Sequence, residues 1–189
     1  SDVCSSDLPF DKFPAADNKL GTQMKATGEV MALERTLEGA LLKAIRSLEV
    51  NAIGITVPEA GSWTEMEIED KLIHADHERF FAIAEAFRRD WTITEIENKT
   101  KIDRFFLSKI KDLVLLERKL RKESLSINLL REAKINGFSD LAIARLRGMN
   151  QEDIRRQRMN EGIIPVYKMV DTCAAEFLSV TPYYYSTYE

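Results

Sequence analysis

The chain has 189 residues, enough to bury a core; at 44% hydrophobic and 31% charged, with only eight Gly and five Pro, its composition is that of a helix-rich folded protein. A net charge of −4 leaves no overall positive field to attract nucleic-acid phosphates or an anionic membrane surface. Two cysteines, Cys4 and Cys173, are too few and too far apart for a disulfide framework, which points to a reducing, cytoplasmic setting. No run of about eighteen apolar residues marks a membrane span.

In chain order, Ser1 to Leu8 is polar and patternless, expected to be disordered or artefactual, and lacks the apolar core of a signal peptide. Residues 9–20 read as a loop punctuated by Pro9 and Pro14. Met24 to Ala32, MKATGEVMA, reads as a short extended segment in which Gly28 marks a bulge or a close backbone approach. Alternation would put Met24 and Glu29 on opposite faces, and a bulge at Gly28 would bring them together. A lone strand needs a partner, so its sheet is expected outside this chain or at its other end. Thr36 is the expected N-cap of a helix carrying Leu37, Leu41, Ala44, Ile45 and Leu48. Val50 to Ser62 reads as an irregular connection anchored by Ile53, Ile55 and Val57. Thr64–His74 and Glu78–Arg89 are expected to form a helical hairpin, the second helix burying Phe80, Phe81, Ile83, Ala84 and Phe87.

The stretch from Trp91 to Leu120 reads as a short helix, a tight turn and a long amphipathic helix. From Ile102, apolar residues recur at Phe106, Ile110, Leu113, Leu116 and Leu120, the period of a helix face. Phe105, Leu107, Val114 and Leu115 widen that face until it needs cover on more than one side, so this helix is expected inside a bundle, with Phe105 and Phe106 in its interior.

Three shorter helices are expected next: Leu125 to Lys134, stopped by Asn136 and Gly137; Asp140 to Arg147, stopped by Gly148; and Gln151 to Asn160, stopped by Gly162. Trp91, Ile96, Ile102 and Leu107 have the same spacing as Phe138, Ile143, Met149 and Ile154, so the chain contains two helix-turn-helix-like units. A helix-turn-helix DNA-binding regulator is therefore the alternative function. Against it, the first unit's second helix opens with Asp103, Arg104, Phe105, Phe106 and Leu107, where base-reading polar groups belong. The second offers Arg155, Arg156, Gln157 and Arg158, but behind Glu152 and Asp153. Two packed helical corners explain the echo with less.

Residues with catalytic chemistry are sparse. His74 and His77 lie at a helix edge with no further ligands converging on them, and read as a solvated helix end rather than a metal site. There is no phosphate-cradling Gly-rich loop and no nucleophile elbow. Cys173 has no histidine near it in sequence and reads as a buried structural thiol rather than a nucleophile. The tyrosines Tyr183, Tyr184, Tyr185 and Tyr188 suit an extended edge.

VYKMVDTCAAEF, Val166 to Phe177, with YYYSTYE, Tyr183 to Glu189, closely resembles the junction in the large subunit of carbamoyl phosphate synthetase that leads from its helical domain into the second synthetase half. FDKFPAADNKLGTQMKATGEVMA, Phe10 to Ala32, is similar to the close of the first, carboxyphosphate-forming half. GFSDLAIARLRG and IDRFFL stand where that family's helical oligomerisation domain carries similar segments. The resemblance covers nearly everything after Leu8.

The resemblance implies a mainly α fold: a helical bundle-like domain over residues 34–164, preceded at 9–33 by the end of the first half and followed at 165–189 by the junction into the second. The short extended segments at both ends would then belong to neighbouring ATP-grasp domains. Residues 1–8 are unmatched, which implies a piece of a longer protein. The implied parent makes carbamoyl phosphate from bicarbonate, glutamine-derived ammonia and two ATP, with Mg or Mn, for arginine and pyrimidine synthesis. Its implied partners are a glutaminase small subunit, the other synthetase domains of the same chain and further copies bound through the helical domain. By the same resemblance Met24 and Glu29 line the passage along which carbamate travels. No catalytic, cofactor-binding or metal-ligating residue is expected in this stretch.

Overall fold

Hydroxyl and amide side chains start the helices where the sequence places them. The structure, a computed structural model, describes residues 17, 19–22, 30–48, 52–178, 180 and 183–189. Among them are eight helices: α1 (Leu37–Ser47), α2 (Glu65–Ile73), α3 (Arg79–Arg88), α4 (Ile93–Thr100), α5 (Arg104–Lys122), α6 (Ile127–Ile135), α7 (Asp140–Arg147) and α8 (Gln151–Asn160). Thr36, Thr64, Thr92, Ser126, Ser139 and Asn150 stand extended at the N-caps of α1, α2, α4, α6, α7 and α8. Each accepts a hydrogen bond from a first-turn N–H that the helix leaves unpaired. In α2 and α4 the Glu three residues on, Glu67 or Glu95, bonds back to the cap N–H and completes a capping box.

The C-terminal ends follow the Gly rule only in part. Gly137, Gly148 and Gly162 adopt positive φ after α6, α7 and α8. The next residue in each case, Phe138, Met149 or Ile163, returns its N–H to the carbonyl of Ala133, Ala144 or Arg158, a Schellman closure. Asp90 and Lys101 take the same left-handed conformation after α3 and α4 without being glycine. That costs on the order of 1–2 kcal/mol each, and neither end carries a Gly signal.

The described residues group into two compact units. One draws on the described residues within 1–31 and 56–111, the other on those within 32–55 and 112–189. In the first unit α2 packs on α3 and α4, and a short 3-10 turn at Ala60–Ser62 packs on α3. Its core holds Val57, Trp63, Ile68, Leu72, Phe81, Ile83, Phe87, Ile96, Leu107 and Ile110, all buried. The α3 carboxylate Glu85 is buried too and is met by Arg88 at 3.2 Å and Arg89 at 3.1 Å. In the second unit α6 and α7 both pack on α8, around Leu42, Ile45, Leu113, Leu120, Leu130, Phe138, Ile143 and Ile154.

Several expectations need correction. Phe105 and Phe106 are not interior: they are 56% and 49% exposed, edge to face at 5.4 Å between ring centroids. Leu115 is exposed as well, and Phe80 is only half-buried. The buried side of α5 runs through Leu107, Ile110, Leu113, Val114, Leu116, Glu117 and Leu120, about half the circumference at 3.6 residues per turn. Phe105 and Leu115 fall off that arc. Phe106 lies on it, but in the first turn, before the buried stripe begins. Helical period identifies the face; it carries no information about how far along the helix the cover extends. In the Val50–Ser62 connection, Ile55 and Val57 are buried and Ile53 is intermediate.

The expected strand at Met24–Ala32 falls mostly outside the described residues, and residues 30–32 are in no strand. The unmatched residues 1–8 lie outside them too. The sheet among the described residues is a two-stranded antiparallel pair, β1 (Val166–Met169) with β2 (Tyr184–Thr187), in the register Val166↔Thr187 to Met169↔Tyr184.

Candidate functional site: a clamped C-terminal hairpin

Isolated two-stranded hairpins are marginal in water, and this one is held by cations from three helices of its own unit. From α1, Lys43 reaches the carbonyls of Leu33 (2.7 Å) and Ser186, pairs with Glu34 at 2.8 Å and stands 5.7 Å from the centroid of the Tyr185 ring. From α6, Lys134 lies 4.9 Å from the centroid of the Tyr188 ring, and from α8 the Arg158 guanidinium lies 5.8 Å from it. Cations over aromatic faces contribute about 0.5–2 kcal/mol each, more as water is excluded. At the chain end Glu189 pairs with both Arg35 and Lys168.

The centre of this arrangement is Asp140, the first residue of α7. Lys134 donates to it at 2.7 Å, and the Arg158 Nε at 2.8 and 3.1 Å. All three side chains are nearly buried, at 5%, 10% and 11% exposure for Lys134, Asp140 and Arg158. Lys134 also donates to the Phe138 carbonyl at 2.9 Å, and Arg158 to that of Ile163 at 3.1 Å. Burial lowers the Lys134 pKa, and its bond to Asp140 only partly compensates. Burial alone would raise Asp140, but the bonds from Lys134 and Arg158 outweigh it and hold the carboxyl below its ordinary value. Tyr188 is raised, chiefly by burial. Lys134, Asp140 and Arg158 bond to one another, so this triad fixes the position of the segments it joins. The sequence carried one sign of it, the four C-terminal tyrosines, but nothing that pairs them with Lys43, Lys134 and Arg158.

Met24 and Glu29 lie outside the described residues. His74 is the C-cap of α2, exposed and bonded through Nδ1 to Asp70 at 2.7 Å. Among the described residues no group of three or more His, Cys, Asp or Glu is placed to hold a metal ion. Cys173 is half-buried in a turn whose backbone is organised by Asp171, which accepts from the N–H groups of Cys173 (2.9 Å) and Ala175 (2.8 Å). No helix among the described residues is long and apolar enough to cross a membrane. Both helix-turn-helix-like corners exist, α4–α5 and α7–α8, with Ile96, Leu107, Ile143 and Ile154 fully buried at matching positions. Of the would-be reading groups on α8, Arg158 is spent on Asp140, while Arg156 is exposed and lies 3.5 Å from Asp153.

Residues 29–162 match the family profile described as the carbamoyl-phosphate synthetase large chain, oligomerisation domain. The chain belongs to that family. It is 49% identical over 180 residues to the "Carbamoyl phosphate synthase large chain, N-terminal section" of Aquifex aeolicus (strain VF5), and 52% identical over 180 residues to the "Carbamoyl phosphate synthase large chain" of Thermoanaerobacter pseudethanolicus (strain ATCC 33223 / 39E). Each alignment takes in 95% of this chain, which spans 32% of the first relative and 17% of the second. The helices α1 to α8 all fall within the part matched to the oligomerisation domain. The hairpin lies beyond it, so the clamp ties the segment following that domain onto the domain itself.

Proposed function

We propose that this chain is the non-catalytic helical linker of a glutamine-dependent carbamoyl phosphate synthetase large subunit, a ligase whose two ATP-grasp halves it holds in fixed relation while offering a face for self-association. The supporting observation is the alignment of nearly the whole chain to large chains several times its length, together with a hairpin anchored by buried ion pairs. On this reading residues 9–33 close the first half, 34–164 are the oligomerisation domain and 165–189 lead into the second half, with residues 1–8 outside the match. The parent enzyme works in the cytoplasm with a glutaminase small subunit, uses ATP with Mg or Mn, and supplies arginine and pyrimidine synthesis. On this reading the ATP chemistry belongs to the rest of the large subunit. Met24 and Glu29 line the carbamate passage.

Light scattering over a concentration series tests the scaffold role: reversible mass growth is expected, and a strict monomer at high concentration refutes the self-association face. Purified chain given ATP, Mg, bicarbonate and glutamine should show no turnover above blank. Measurable ATP hydrolysis by the chain alone would remove the non-catalytic assignment.

A further inference from the structure

Beside the clamp, within the second unit, lies an open cavity of about 330 Å³. Its walls include Glu34, Lys43, Arg46, Lys134, Asp140 and Tyr188. Together with Arg158 behind Asp140, four cations meet two carboxylates there. Lys43 is neutralised by Glu34, while Lys134 and Arg158 share the single charge of Asp140. Arg46 makes no ion pair among the described residues; its one hydrogen bond there is from Nη1 to the Gly137 carbonyl at 2.6 Å. The cluster thus holds an excess of two positive charges. Three donors remain on the same walls: the rest of the Arg46 guanidinium, the Gln151 amide and the Tyr188 hydroxyl, the last two with no hydrogen bond among the described residues. Arg46 is exposed to solvent, whereas Lys134 is buried, and burial lowers its pKa, the direction expected of a cation without enough counter-charge.

We propose that this cavity binds a phosphate dianion carried on a small monoester. The excess charge matches a phosphate group, about −1.5 to −2 near neutral pH, and a guanidinium beside a hydroxyl and an amide is a donor set suited to its oxygens. The volume exceeds a bare phosphate and lies at the low end of small-ligand pockets, about 300–1,000 Å³. Pro165 and Tyr167 on the cavity wall give an organic group an apolar surface. This goes beyond the linker role and stands whether or not that role does.

The test is isothermal titration of the 189-residue chain with inorganic phosphate and with phenyl phosphate, against sodium chloride at matched ionic strength. Buffering near pH 7.5, above the second phosphate pKa of about 6, keeps the ligand largely dianionic. Saturable binding of phenyl phosphate, tighter than inorganic phosphate, is expected. Arg46→Gln should weaken it at least about tenfold, the effect of losing a hydrogen bond to a charged group, and Arg46→Lys should restore part of the loss. Gln151→Glu, at the exposed first residue of α8 where an acidic residue favours the helix, should abolish binding without unfolding the chain. No saturable heat beyond the chloride control, inorganic phosphate binding as tightly as the monoester, or wild-type affinity in Gln151→Glu would each overturn the proposal.

Discussion

Phe106 and Leu107 are neighbours on α5 with opposite environments, 49% and 0% exposed. Leu107→Ala should cost about 2–5 kcal/mol, as truncation of a buried leucine does. Phe106→Ala should cost well under the 3–5 kcal/mol of a buried ring, since half of its surface already faces solvent. Urea denaturation of the two variants checks the ordering, and a larger loss for Phe106→Ala would contradict the exposure. Asp140 is the opposite case, a polar residue with core consequences. Asp140→Ala strands Lys134 and Arg158 without their shared counter-charge, and loss of one partner of a buried pair costs about 3–5 kcal/mol. Its carboxyl pKa is depressed in the folded state. The associated stability is therefore fully present above the unfolded value of about 3.9 and is lost as pH falls through the lower folded value. In Asp140→Asn that acid-side loss should shrink, read from denaturation midpoints across a pH series.

At the scale of elements, caps and close approaches decide what the sequence tolerates. Ser139 accepts the Ala142 N–H at 3.0 Å at the start of α7, and Ser139→Ala should cost about 1 kcal/mol. Gly137 is more demanding: its φ is +90°, and a Cβ there would lie 2.8 Å from the Gly39 Cα and 3.2 Å from the Gly39 carbonyl oxygen. The first turn of α1 and the end of α6 thus meet backbone to backbone, through two glycines. Gly137→Ala must shift a main chain as well as strain φ, so it should destabilise by more than the roughly 1 kcal/mol of an ordinary Gly replacement at positive φ. Thermal melting of the two variants should rank Gly137→Ala below Ser139→Ala.

For the molecule as a whole, the consequence of the clamp is mechanical. Lys43, Lys134 and Arg158 fix the segment that follows the oligomerisation domain through Tyr185 and Tyr188, as the proposed linker role requires. Tyr188→Ala should speed amide exchange across Tyr184–Thr187 while leaving α2 to α4, in the other unit, at wild-type protection. Uniform loss of protection would mean that the hairpin is part of one cooperative core.

Helix positions, most of their starts and the Gly-terminated ends were legible in the residues, because caps and apolar period are local: Thr36, Thr64, Ser139, Gly148 and Gly162 act within a few residues of themselves. So was the family, through extended segments whose order survives in sequence. The end of α3 was legible to within a residue, at Arg89, but the left-handed turns at Asp90 and Lys101 were not, since a non-glycine left-handed residue leaves no compositional mark. Nor was the exposure of Phe105 and Phe106, because a period specifies a face and only packing specifies its cover. The clamp was hidden for a related reason. Lys43, Lys134, Asp140, Arg158 and Tyr188 are spread over most of the second unit, and any one of them alone reads as solvated surface. Only the tertiary fold brings their charges and rings together in a region dry enough for the pairing to matter.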